Sequence, residues 1–150
     1  MPLLVRGPGV AGGHQATKLV LNTDYLPTFS DLACPSSRSC NTQNYSYVAD
    51  GRSLGPVLKG NATAWRSAAL LEAHHTPEGG ATPDSSGIRT SSTKYVEYAG
   101  GKRELYFLEH DPYELRNKYP SAKPSARLSL RLRALRICAG VGCRAAENRQ

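Results

Sequence analysis

Few residues of this chain stand at spacings that could do chemistry. Its four cysteines fall into two close pairs, Cys34/Cys40 and Cys138/Cys143. An even number and local pairing suit disulfides in an oxidising compartment. The competing reading is four reduced thiols in a cytosolic protein. Zinc is disfavoured, because the adjacent His74 and His75 have no Cys-x-x-Cys companion. Asp24, Asp31 and Asp50 are too scattered to supply the oxygen-rich loop of a hard cation, so no metal site is expected. Asn44-Tyr45-Ser46 and Asn61-Ala62-Thr63 satisfy the glycosylation sequon, which matters only in a glycosylating secretory pathway.

The remaining chemical signal is charge. The 150 residues carry 19 Lys+Arg against 12 Asp+Glu, a formal net charge of +7. Nearly all the excess lies beyond residue 122, where Lys123, Arg127, Arg131, Arg133, Arg136, Arg144 and Arg149 face Glu147 alone. A basic segment of this kind raises the reading of a nucleic-acid or glycan-binding module. Helical geometry weakens it. Leu128, Leu132, Leu135 and Ala139 share one face, with Arg127 and Arg131 on one side and Arg133 and Arg136 on the other. Leu130 and Ile137 lie opposite. A phosphate-tracking face would gather its arginines. This pattern predicts a helix packed on a sheet with snorkelling arginines, and no nucleic-acid partner.

Those residues need elements to carry them. The apolar run 2–6, closed by Gly7-Pro8-Gly9, predicts a buried strand entering a turn. Thr23 offers an N-cap to a helix reaching Ala33, with Tyr25, Leu26, Phe29 and Leu32 at helical spacing and Pro27 tolerable in the first turn. Ser53–Lys59 makes about two helical turns stopped by Gly60. Trp65–Ala73 reads as a strand and 74–87 as a loop. Ile88–Thr90, Lys94–Tyr98 and Arg103–Leu108 are rich in strand formers. Gly100-Gly101 signals a hairpin, but a strict two-residue turn would set Glu97 against Glu104, so a longer loop is expected. Asp111-Pro112-Tyr113-Glu114 carries the capping signature of a helix start. A last helix spans about 125–138 and is released at Gly140. No apolar run approaches the ~18 residues of a membrane helix. Met1–Gly9 has no charged lead-in before an apolar stretch and does not read as a signal peptide.

Four pieces of this organisation, in order, resemble the formylglycine-dependent sulfatases. Pro2–Gly9 looks like the late strand of that family's main sheet, and Asn22–Phe29 resembles the helix after it. Asp50–Gly60 is similar to its Gly-x-Ser-Leu segment. Thr90–Asn117, with Lys94–Tyr98, Glu104-Leu105-Tyr106 and Asp111–Asn117, resembles its C-terminal subdomain. The flavour is that of the arylsulfatase or glucosamine-6-sulfatase type.

The resemblance implies an alkaline-phosphatase-like α/β fold, of which this chain carries only the late strand and helix (1–60) and the C-terminal α+β subdomain (61–150). It also implies calcium-dependent hydrolysis of sulfate esters by a hydrated formylglycine, made from Cys in Cys-x-Pro-x-Arg. A family protein of this kind is usually secreted, periplasmic or lysosomal. Cys34-Pro35-Ser36-Ser37-Arg38 only mimics the motif: its proline is at +1, not +2, and it follows the 23–33 helix instead of preceding the sheet. The expectation is therefore a C-terminal portion that holds no catalytic residue and no cofactor, with calcium belonging to the full-length enzyme. His74 and His75, at the mouth of a long loop, are the pocket candidates the resemblance suggests; their plainer reading is two solvated loop residues.

Overall fold

The computed structural model describes residues 3–33, 49–75, 83–120 and 124–149. The chain divides into two compact units, Met1–Arg66 with Ala139–Ala145, and Ser67–Cys138 with Ala146–Gln150.

The second unit is built on a four-stranded antiparallel sheet in the order β1-β2-β3-β4, from Ala69–Ala73, Ser85–Arg89, Thr93–Tyr98 and Arg103–Phe107. Ile88 pairs with Tyr95, which pairs with Leu105, so these three share one face. Against that face lies the helix Ser125–Arg136, numbered α3 once α1 (Tyr25–Ala33) and α2 (Gly55–Leu58) of the first unit are counted. Its Leu128, Leu132 and Leu135 join Ala68, Ile88, Tyr95 and Leu105 in one core. Full burial of each large apolar side chain is worth about 1.5–3 kcal/mol, and this cluster is the main apolar asset of the unit. The leucine stripe matches the spacing in the sequence, with Leu130 and Ile137 exposed on the outer side.

The hairpin avoids the like-charge clash. Glu97 stands opposite Arg103 and Glu104 opposite Val96, with the Tyr98 amide closing onto the Lys102 carbonyl at 2.9 Å. Gly101 sits at φ 80°, the left-handed region such a loop requires. The first strand is shorter than expected. It begins at Ala69, because the Ser67 and Ala68 amides both donate to the Glu147 carbonyl rather than to a neighbouring strand.

No helix forms at Asp111–Glu114. The Asp111 carboxylate accepts from the amides of Leu115 (3.0 Å) and Arg116 (2.8 Å), and Glu114 takes a left-handed φ of 56°. The Asp-Pro start is thus spent on an Asp-capped turn, which satisfies the same donors without committing the chain to a helix. Asn117 then fastens the segment to the free side of β4. Its Oδ1 accepts from the Leu105 and Tyr119 amides, its Nδ2 donates to the Arg103 carbonyl, and the Lys118 amide donates to the Leu105 carbonyl. An edge that would otherwise offer bare ladder groups is covered.

In the first unit, a single 3-10 turn (Asn22–Asp24) leads into α1. The turn begins before Thr23, and the cap is Asp24, whose Oδ2 accepts from the Leu21 amide at 2.8 Å. The buried side of α1 is Pro27 and Thr28, whereas Leu26, Phe29 and Leu32 are 56–65% exposed. The apolar face expected to enter a core is therefore uncovered among the described residues. Residues 3–6 form no strand; a strand needs a ladder partner, and the described residues provide none. Helix α2 ends as expected, with Gly60 at φ 72° donating to the Val57 carbonyl. A further helix, α4 (Val141–Asn148), follows Gly140 and was not expected from the sequence.

Candidate functional site

The most constrained polar constellation is in the first unit and centres on Asp24. The 3-10 turn aims its carboxylate inward, and Arg66, 42 residues later, meets it with both terminal nitrogens at 2.5 and 2.6 Å. Both side chains are fully buried. The remaining lone pairs accept from the backbone amides of Leu21 (2.8 Å) and Arg52 (2.9 Å). The Asp24 carbonyl accepts from the Thr28 hydroxyl, which in turn accepts from the Leu54 amide. Trp65 donates its indole N–H to the Leu19 carbonyl at 2.6 Å, with the guanidinium of Arg66 5.3 Å and that of Arg52 6.0 Å from the ring centre. Arg52 also donates to the Arg144 carbonyl, and Arg144 donates back to the Gly51 carbonyl.

Gly51 is where the Asp50–Gly60 segment touches the turn. A Cβ there would stand 2.1 Å from the Thr23 oxygen and 2.4 Å from its carbon, so only glycine allows the approach. The constellation is a structural bolt. Every oxygen of Asp24 is taken, which leaves no open valence for substrate or metal.

In the second unit, the sheet face away from α3 carries ion pairs. Lys94 Nζ lies 2.5 Å from Glu114 Oε2, and Arg89 lies 3.9 Å from Oε1. Tyr98 donates to Glu104 at 3.1 Å. Desolvation, then the hydrogen bond and charge of Glu104, push the Tyr106 hydroxyl up to about 12. On the core face, Glu97 accepts from Tyr95 (2.8 Å) and Ser129 (2.7 Å). Burial alone would raise the Glu97 carboxyl, but the two hydroxyl donors with Arg103 and Arg133 hold it below its usual value. Burial, then the bond to Glu97, push Tyr95 up to about 12. With their hydroxyls pushed up to about 12, Tyr95 and Tyr106 are not poised as acids near neutral pH.

The residues singled out from the sequence do not converge. His74 and His75 are exposed at the end of β1, and the His75 amide donates to Asp84 Oδ1 at 2.5 Å. Asn61 is exposed just past Gly60, and Asn44 lies outside the described residues. Cys138 and Cys143 are both disulfide-bonded; Cys34 and Cys40 lie outside the described residues, as does the Cys34–Arg38 stretch. On α3, Arg127, Arg133 and Arg136 are exposed while Arg131 is buried, deeper than snorkelling would place it. Arg131 reaches Ser67 Oγ at 3.0 Å, and burial followed by the nearby Arg127 pulls its pKa down.

Among the described residues, no three His, Cys, Asp or Glu side chains gather as metal ligands. Asp24 is saturated by Arg66 and two amides, Asp111 by two amides, and Asp50 accepts from the Gly140 amide. These carboxylates do not fit a calcium site.

Comparison with known proteins decides the family. Residues 1–136 match the family described as N-sulphoglucosamine sulphohydrolase, C-terminal. The chain belongs to it. N-acetylglucosamine-6-sulfatase of Bos taurus is 31% identical over 96% of this chain, but the match spans only 30% of that relative's length. N-acetylglucosamine-6-O-sulfatase of Bacteroides thetaiotaomicron is 29% identical over 82% of the chain and 22% of its own length. A solved structure in complex with its substrate D-glucosamine-2-N,6-O-disulfate superposes at a TM-score of 0.60, with 26% identity, over 83% of this chain and 24% of that one. A 2-O GAG sulfatase superposes at 0.61 with 29% identity, over 86% of this chain and 27% of that one. The fold is thus the C-terminal portion of the alkaline-phosphatase-like sulfatase fold, as the sequence motifs indicated. No helix among the described residues is long and apolar enough to cross a membrane.

The Asp24–Arg66 bolt escaped sequence reasoning. The one available signal was the pairing of an N-terminal-turn Asp with Gly51 and Arg66, which no local period reveals. Neither residue type nor spacing distinguishes Asp24 from the other scattered carboxylates.

Proposed function

We propose that this chain is the non-catalytic C-terminal portion of a calcium-dependent sulfatase acting on sulfate esters of amino sugars. The observation that carries this reading is the family match over residues 1–136 together with a bovine relative of which the match spans only 30%. The chemistry calls for an activated oxygen nucleophile and a dication with basic groups to neutralise developing charge. In this reading the rest of the sulfatase polypeptide supplies all three. The chain contributes the polar bolt, the small sheet and the His74/His75 loop end, whose imidazoles border the sugar-sulfate pocket. An oxidising, extracytoplasmic compartment fits the disulfide-bonded Cys138 and Cys143.

A graft tests the reading. The matched region of the Bacteroides thetaiotaomicron relative is replaced by this chain, and release of sulfate from a glucosamine sulfate ester is followed with and without a chelator. The chimera is expected to show chelator-sensitive hydrolysis, and the purified 150-residue chain none. An inactive but folded chimera, or calcium-dependent turnover by the chain alone, overturns the proposal.

A further inference from the structure

One of the two sequons, Asn61-Ala62-Thr63, lies in the first unit, directly after the left-handed Gly60 that ends α2. Asn61 and Thr63 are both exposed. The Thr63 amide donates to the Asn61 carbonyl at 2.9 Å and closes a tight turn about Ala62, while the Asn61 amide is fixed to the Pro56 carbonyl at 2.9 Å. No described residue hydrogen-bonds the Asn61 carboxamide or the Thr63 hydroxyl. The two groups that define the sequon are thus held in place by backbone and left available as side chains. Asn61 also lines a cleft of about 240 Å³, together with Leu32 of α1 and with Pro56 and Lys59 of α2. Phe29 stands one turn before Leu32 on the uncovered side of α1, and each is 65% exposed. Large apolar side chains grouped in the open mark a surface that something covers.

We propose that Asn61 carries an N-linked glycan whose inner sugars lie over Leu32 and Phe29. The donor is a polyprenyl-pyrophosphate-linked oligosaccharide. Asn61 Nδ2 attacks its anomeric carbon: the N–C1 bond forms, the C1–O bond breaks, the polyprenyl pyrophosphate departs and one carboxamide proton passes to the transferase. The occupant of the apolar patch is argued from its tether. A glycan on Asn61 starts at the rim of the cleft that Leu32 lines, so its first sugars stay beside the patch without a separate binding event. A pyranose ring is amphipathic; its C–H face packs on Phe29 and Leu32 while its hydroxyls remain in water. The inference shares with the sulfatase reading only an extracytoplasmic compartment, which the disulfide-bonded Cys138 and Cys143 support by themselves. A second copy of this chain is the competing occupant.

The test uses the full 150-residue chain, exported from a glycosylating eukaryotic host behind an added leader, with Asn44→Gln so that Asn61 holds the remaining sequon. Glycopeptide mass spectrometry is expected to find the glycan on Asn61, absent in Asn61→Gln and Thr63→Ala and kept in Thr63→Ser. Binding of an apolar fluorescent dye is then compared across these proteins. The two variants without the glycan should fluoresce at least about twofold more, and Thr63→Ser should match the parent. Adding Phe29→Ser to Asn61→Gln should abolish the rise. All these side chains are exposed, so the variants keep the fold, and unchanged far-UV dichroism verifies this. An unmodified Asn61 overturns the inference. So does a glycosylated Asn61 whose loss leaves the fluorescence unchanged, or a rise that survives Phe29→Ser. A concentration-dependent dimer of the glycosylated chain that Phe29→Ser dissolves also overturns it, since the cover is then a second copy. An inactive graft defeats the functional reading and leaves this inference standing.

Discussion

Replacing Asp24 with Asn should destabilise the first unit far more than any surface change, and the structure says by how much. Asp24 and Arg66 are both fully buried and joined by two charge-assisted bonds of 2.5 and 2.6 Å. Removing one partner of such a pair leaves an uncompensated buried charge, which costs about 3–5 kcal/mol. Asn keeps one carbonyl oxygen, so only one of the Leu21 and Arg52 amides need lose its acceptor, adding about 1–3 kcal/mol. With a urea slope of about 1–3 kcal/mol/M, the midpoint falls by at least ~1 M. Trp65 is the chain's single tryptophan and is hydrogen-bonded to Leu19 in the same unit, so its fluorescence reports the transition directly. The decisive variant is Asp24→Asn with Arg66→Met. It removes both charges, so it should be more stable than Asp24→Asn alone, with a coupling energy of at least ~2 kcal/mol. A cost below ~1 kcal/mol for Asp24→Asn, or strictly additive single and double variants, refutes the account of the bolt.

Gly51→Ala should cost about 1–3 kcal/mol or more in the same urea assay, because its Cβ meets Thr23 backbone at 2.1 Å, whereas Gly100→Ala, with nothing within 4 Å, should stay within about 0.5 kcal/mol. Arg131→Met should be neutral or stabilising in thermal melts, since the residue is 9% exposed, has no acidic partner among the described residues and leaves its buried Nε unbonded. Because the folded-state pKa of Glu97 is depressed, its contribution to stability is present above the unfolded value near ~4.3 and is lost as pH falls through the folded one; Glu97→Gln should flatten that acid limb of a stability–pH profile. Tyr95 has the opposite sign: with its folded pKa raised to about 12, the stability it adds holds below the unfolded value near ~10 and is lost as pH rises towards 12, which Tyr95→Phe should remove and a tyrosinate absorbance titration should reveal.

What was legible in the sequence was what period and local sterics determine. The leucine stripe of α3 fixes its buried face, and the like-charge argument at Glu97 and Glu104 correctly lengthened the hairpin, so that Glu97 faces Arg103. Gly60 marked the end of α2 because a left-handed residue was needed there. The failures share a cause. Asp111-Pro112 satisfies amides equally well in a helix or a turn, and the choice is made at a distance, by Lys94 holding Glu114 and by Asn117 holding β4. Asp24 and Arg66 are likewise partners only through the fold. Helix α4 was missed although Cys143, Ala146 and Glu147 recur at i, i+3 and i+4, a short signal easily masked by its polar neighbours.

The two units solve stability by different means, and the difference bears on function. The second encloses Tyr95, Ile88, Leu105 and Leu132 almost completely, so hydrophobic burial sustains it. The first buries Asp24, Arg66 and Thr28 while exposing Leu4, Leu26, Phe29 and Leu32. A polar network fixes geometry sharply but contributes modest net free energy, because each bond replaces one to water. Such a unit has a defined shape and little margin. Native-state hydrogen exchange of the chain alone should therefore rank the units: amides of β3 and β4 open only with the highest free energies, while α1 opens at a small fraction of them. Equal protection in α1 and β3 would mean that the polar bolt stabilises its unit as well as hydrophobic burial stabilises the other.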